Sequence, residues 1–129
     1  MSYLHDEGEL LILGDAFDGR SLEVGLFNND EDDLSEDSTF NDIESEPTGD
    51  DYEPQGVEDP DVSQNADSDA QLDIDELSFD VGDAEEDVDY VYVIDADSED
   101  LIFTAELDQT YDLGSIDNLD LSNVGMTLS

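Results

Sequence analysis

The run Val88-Asp89-Tyr90-Val91-Tyr92-Val93-Ile94 decides how the rest of the sequence is read. Side chains alternate along an extended chain, so Val88, Tyr90, Tyr92 and Ile94 share one face while Val91 and Val93 occupy the other. Apolar residues on both faces mark a central strand that is covered on each side. On its N-terminal side, Leu72 and Ile74 alternate with Gln71, Asp73 and Asp75, and after a phase change Leu77 and Phe79 continue the strand to Val81. Residues 82–86 form a charged turn. On the C-terminal side, residues 95–100 connect to 101–107, where Leu101, Phe103, Ala105 and Leu107 again have period two. Two such runs joined by a short polar turn predict an antiparallel hairpin. A last strand is expected near residues 119–128, with Val124, Met126 and Leu128 alternating after a bulge at Asn123.

The N-terminal half is less regular. Leu10-Leu11-Ile12-Leu13 is an apolar run closed by Gly14-Asp15. Four residues are too few for an independent helix, so residues 1–14 read as an N-terminal arm or first strand. Asp18-Gly19 punctuates a turn, and in residues 21–27 Leu22, Val24 and Leu26 fall on one face of a half-buried strand. Residues 28–51 are polar, with Leu34, Phe40 and Ile43 the large apolar residues. Residues 38–43 are expected to make one capped helical turn that docks Phe40 and Ile43 on the sheet. Glu46-Pro47-Thr48-Gly49 forces a turn. A short strand over 52–57 then contains Pro54, which suits only an edge or a bulge. Residues 58–70 read as a loop. Seven or so short strands separated by turns predict an all-β chain: a single antiparallel β-sandwich over residues 15–129, jelly-roll-like, with long acidic loops.

The 129 residues include 41 Asp or Glu and one basic residue, Arg20, for a formal net charge of −40. Without lysines to displace counterions, direct binding to DNA or RNA is excluded, as is electrostatic attachment to an anionic membrane. There is no Cys, so thiolate metal sites and cysteine nucleophiles are excluded. No basic leader or apolar stretch of membrane-spanning length is present, which predicts neither export by that route nor a membrane span. A mean hydropathy of −0.53 leans towards disorder, but 36% of residues are hydrophobic and they cluster in strand-like runs. One small folded domain is the better reading. A folded monomer of this mass exposes about 6,800 Å², which leaves each net charge about 170 Å² and a neighbour about 13 Å away. The screening length is about 10 Å at 0.1 M salt and about 3 Å at 1 M. Carboxylates spread along a chain without lysine are therefore expected of a protein that works in concentrated salt.

Among residues able to carry chemistry, Asp95, Asp97, Glu99 and Glu106 stand at relative positions one, three, five and twelve, with Ile102 at eight, as in a calcium loop. The sixth position holds Asp100 where such a loop has Gly, and the flanks read as strands, so the competing expectation is a solvated hairpin loop with at most weak cation binding. Asp30-Glu31-Asp32-Asp33, Asp50-Asp51 and Glu85-Glu86-Asp87 read as hydrated charge runs. Nothing singles out a carboxylate pair for glycoside hydrolysis. His5 is the single neutral-pH base, beside Asp6 and Glu7, and reads as a surface residue. Arg20 reads as an exposed turn residue or as a partner of an acid such as Asp18. Tyr90 and Tyr92 read as core, with a sugar-binding surface as the competing expectation. No catalytic residue and no cofactor is expected.

The order of segments resembles that of small virion proteins of tailed viruses. Leu26-Phe27-Asn28-Asn29-Asp30 leads to Asp37-Ser38-Thr39-Phe40-Asn41-Asp42-Ile43-Glu44-Ser45-Glu46-Pro47, followed by Gly49 and Tyr52. Leu77 and Phe79, the Tyr-Val-Tyr-Val strand and the hairpin to Leu101-Ile102-Phe103 continue the likeness. Such proteins commonly carry Arg after the Gly-Tyr element, where this chain has Glu53-Pro54-Gln55. The resemblance implies a non-enzymatic structural protein: a capsid decoration or turret subunit, here of a halophilic archaeal virus, or a tail component. It implies other virion proteins (major capsid or tail proteins) as partners, and homo-oligomers. Leu10, Leu11, Ile12 and Leu13 are the expected interface, an apolar run that adds a strand to a partner. An ordinary internal strand is the competing expectation. An acidic inhibitor that mimics DNA is the alternative from another functional class.

Overall fold

The computed structural model describes residues 5–17, 21–35, 37–58, 61–64 and 70–128. A helix α1 (Asp6–Phe17) is followed by strand β1 (Ser21–Phe27), a one-turn helix α2 (Asn29–Asp32) and a 3-10 turn (Phe40–Asp42). Strands β2 (Gln55–Glu58), β3 (Asp61–Gln64), β4 (Ala70–Asp80), β5 (Asp87–Asp95), β6 (Leu101–Asp112) and β7 (Asn118–Leu128) complete the chain, with a 3-10 turn (Leu113–Ser115) before β7. They form a four-stranded sheet of order β2-β1-β5-β6 and a three-stranded sheet of order β3-β4-β7, with every pairing antiparallel. The all-β expectation holds. Both sheets are open, and their four plus three strands are the seven or so expected.

Strand β5 is central, as its two apolar faces require. Val91 and Val93 face a core shared with Leu22, Val24 and Leu26 of β1 and with Leu72, Ile74, Leu77 and Phe79 of β4. On the opposite face, Tyr92 and Ile94 join Phe27 in a second, smaller core. Leu34, Phe40 and Ile43 cover that core from the connection after β1. The expected docking turn thus forms, and the Asp42 carboxylate accepts the Thr39 N–H at 2.8 Å.

The phase changes expected on β4 and β7 coincide. Their register runs from Ala70 opposite Leu128 to Asp80 opposite Asn118 and skips one rung, Asp75 with Asn123. Both expected irregularities fall at that one rung, and the pairing keeps the same register on either side of it.

Two expectations fail. Residues 10–13 are neither strand nor free arm but part of α1, which runs through the expected boundary at 14/15. The apolar period does not end at Gly14: Leu10, Leu13 and Phe17 recur at helical spacing, and Leu13 and Phe17 are buried in the shared core against β3 and β4. Glu7, in the first turn of α1, favours the positive end of the helix. The expected loop over 58–70 contains β3, whose half-buried Val62 pairs with Leu72. One apolar residue suffices there because β4 supplies the rest of the surface.

The solvent-accessible surface is 7809 Å², above the size-based value, as befits two open sheets with long connections. Divided among 40 net charges, it leaves each about 195 Å², a spacing of about 14 Å, still beyond one screening length at 0.1 M salt.

Candidate interaction surface

Packing one face of α1 on the sheets leaves the other face in water. Leu13 is buried and Leu10 packs on the core's margin, whereas Leu11 is 65% and Ile12 52% exposed. They are the large hydrophobic side chains that stand exposed among the described residues. Of the four expected interface residues, two hold the helix down and two remain available. The expected mode changes too: a helix has spent its backbone hydrogen bonds internally and cannot add a strand to a partner.

The expected calcium-type loop is a tight turn between β5 and β6. Asp95 Oδ1 accepts the N–H groups of Asp97 at 2.8 Å and Ser98 at 3.2 Å, and Asp95 is itself buried. Glu99 takes the left-handed conformation, φ 62°, and its N–H reaches the Asp95 carbonyl at 2.8 Å. Asp95, Asp97 and Glu99 belong to this turn. Glu106 does not: it pairs across from Tyr90, five residues along β6, or roughly 16 Å from the turn at strand rise. Its carboxylate accepts the Tyr90 hydroxyl at 3.2 Å. Among the described residues, no three acidic or histidine side chains are placed to hold a metal ion.

The sharpest polar arrangement joins residues far apart in sequence. Beyond the end of β2, the Leu26 N–H on the edge of β1 donates to Tyr52 Oη at 2.9 Å. The Tyr52 hydroxyl in turn donates to Glu46 Oε2 at 2.7 Å, and the Tyr92 hydroxyl donates to the same oxygen. Tyr52 stacks on Phe79 in the shared core, with centroids 6.1 Å apart, while Tyr92 lies against Phe40 and Phe27 in the smaller core, at 5.1 and 6.4 Å. Glu46 therefore links both cores around the edge of the four-stranded sheet. Burial, more than the neighbouring carboxylate, pushes both hydroxyls well above the ordinary tyrosine range. Tyr92 is fully buried, which removes it from any sugar-binding surface. Tyr90 is half-buried, 5.7 Å from Phe27.

Other carboxylates close loops. Asp83 accepts the Asp50 and Asp51 N–H groups at 2.5 and 2.9 Å, and its charge, followed by that of Asp80, raises the Asp51 carboxyl. Glu86 accepts both the hydroxyl and the N–H of Thr48, at 2.7 and 3.1 Å. The Thr48 hydroxyl bond is the main cause that lowers Glu86. Asp32 Oδ2 takes the Ser45 hydroxyl at 2.7 Å and the N–H groups of Glu44 and Ser45. The expected charge runs at 30–33 and 85–87 thus each contain a loop-closing acceptor, Asp32 and Glu86, whereas the 50–51 run donates its backbone N–H groups to Asp83. His5 is exposed. Arg20 and Asp18-Gly19 lie outside the described residues.

Glu46 and its two tyrosines carry no signal in sequence. Glu46 lies 46 residues from Tyr92, and nothing local distinguishes it from the other acids. No protein-family model matches the chain, and no curated protein or solved structure matches it significantly.

Proposed function

We propose that this chain is a non-enzymatic structural protein that assembles through protein–protein contacts in concentrated salt. The reading that fits best is a head decoration or turret subunit of a tailed virus of a halophilic archaeon, with the tail of the same particle as its other possible position. The observation that carries the proposal is the adjacent pair Leu11 and Ile12, exposed on a helix whose opposite face is already buried. On a chain with 41 acids, an uncharged pair held in water by a packed helix suits a partner surface such as a major capsid or tail protein. The carboxylates, whose mutual repulsion molar salt screens, keep the remaining surface hydrated in brine.

The test is particle composition. The chain should co-purify with intact particles in molar salt and be released on desalting. Chain carrying L11D and I12D should keep its circular dichroism spectrum and fail to incorporate. Absence from particles, combined with tight binding to a nuclease, would replace this proposal with a DNA-mimicking inhibitor.

A further inference from the structure

The two open sheets have four edge strands, and three of them are poorly suited to pairing. Strands β2 and β3 have four residues each. Strand β6 has twelve, but its register against β5 breaks twice, between Val93 and Ile94 and between Val88 and Tyr90. It also carries Glu106, Asp108 and Asp112. Short length, bulges and charge are the usual means by which an edge is kept from adding another strand.

Strand β7 has little of this protection: one acid, Asp120, near its start and one skipped rung, at Asn123. It has eleven residues and pairs with β4 in one constant register along its length. No strand lies along its other edge among the described residues. Residues 121–129, Leu121-Ser122-Asn123-Val124-Gly125-Met126-Thr127-Leu128-Ser129, carry no charged side chain, and this is the longest uncharged run in the chain. Acids average one in three residues elsewhere, so adaptation to brine does not account for a long edge left without them.

We infer that the outer edge of β7 pairs antiparallel with β7 of a second copy of this chain, joining two three-stranded sheets into one six-stranded sheet across a two-fold axis. Charge selects this occupant. A basic partner would gain from carboxylates along the edge, whereas a partner with a net charge of −40 needs them absent. A two-fold pairing brings residue i opposite j and j opposite i, so one residue at the axis faces its own mate. With any residue from Leu121 to Gly125 at the axis, Asp120, the one acid in β7, never faces its counterpart. The inference takes from the proposed function only that the chain assembles in concentrated salt.

The test uses the purified full chain in molar KCl. Light scattering should give twice the 14.2 kDa of one chain, falling to a single chain as salt is removed. The variant S122D/T127D, which sets four added carboxylates along the joint, should be monomeric at the same salt. Because the native chain has no Cys, N123C supplies a single thiol. A short bismaleimide should cross-link it to a dimer in molar salt, while Q109C, on β6, should remain uncross-linked. A monomer at every salt concentration overturns the inference, as does a dimer in which N123C does not cross-link. Should S122D/T127D fail to fold, the cross-linking comparison still decides. A monomer would leave the particle proposal standing, and absence from particles would leave this one standing.

Discussion

Gly25 lies directly beneath the ring of Tyr92: a Cβ added at Gly25 would meet Tyr92 Cζ at 2.2 Å and its Oη at 2.3 Å. The two residues are cross-strand partners in the β1–β5 ladder. Only because Gly25 has no side chain can Tyr92 reach across β1 to Glu46. Gly25→Ala must therefore displace a fully buried ring together with its hydrogen bond. The expected loss is about 3 kcal/mol, the upper part of the range for overpacked cores, and is read as a lower urea midpoint at fixed molar salt. Tyr92→Phe, which keeps the ring and removes only the hydroxyl, should lose about 1 kcal/mol. Equal losses for the two variants would refute this account of Gly25.

The same arrangement predicts how the protein responds to alkali. Tyr52 and Tyr92 are held in their neutral forms, with folded pKa values raised above the unfolded value of 10.0. A raised tyrosine pKa contributes stability that is fully present below about pH 10 and is lost as pH climbs further. Each tyrosine should cost about 1.4 kcal/mol for every pH unit beyond that point. At constant molar salt, the denaturation midpoint should be level from pH 7 to about 9.5 and then fall. Tyrosinate absorbance at 295 nm should show these two rings ionising only as the chain unfolds. The double variant Tyr52→Phe/Tyr92→Phe should flatten the decline, and an unchanged slope would count against the assignment.

How much of this was legible in the sequence depends on whether neighbours along the chain or across space decide the structure. Strand β5 could be read because both its faces are apolar within seven residues. The skipped rung at Asp75 and Asn123 appeared as two separate irregularities, each visible in its own strand, although only pairing shows that they cancel. Helix α1 was hidden because Gly14 looked like the end of an apolar run, whereas the contact that completes the helical stripe, Phe17, lies beyond it. Strand β3 was hidden because its stability comes from β4. Glu46 was indistinguishable from the other acids until folding brought two hydroxyls to one of its oxygens. Leu11 and Ile12 stay exposed while Leu10 and Leu13 pack inward, a division set by the helical period that the expected strand did not contain.

The turn at Asp95 separates a local role from a metal-binding one. Its carboxylate is already engaged by two backbone N–H groups, and Glu106 lies roughly 16 Å along the strand. Calcium added at constant ionic strength should leave the melting temperature unchanged, and Glu106→Gln should be close to neutral. Asp95→Ala should lose about 1–2 kcal/mol through the turn itself, with or without calcium. A calcium-dependent melting temperature that disappears in both variants would restore the calcium-loop reading.

Salt should govern whether the fold exists at all. Two unit charges 14 Å apart in water repel by about 0.3 kcal/mol before screening, and by about 0.07 kcal/mol with a 10 Å screening length. With roughly six neighbours per charge, 40 net charges then accumulate about 8 kcal/mol of repulsion at 0.1 M salt, comparable with the whole stability of a small domain. At 1 M the same sum is about 0.3 kcal/mol. The unfolded chain sets its charges further apart and bears less of this cost, so lowering the salt tips the balance towards unfolding. Circular dichroism should show the strand signal lost on dialysis to 0.1 M and recovered in molar salt, equally with KCl and NaCl. A signal that survives at 0.1 M would mean that the carboxylates are not acting as a screened surface lattice, and the argument for a protein adapted to brine would lose its physical basis.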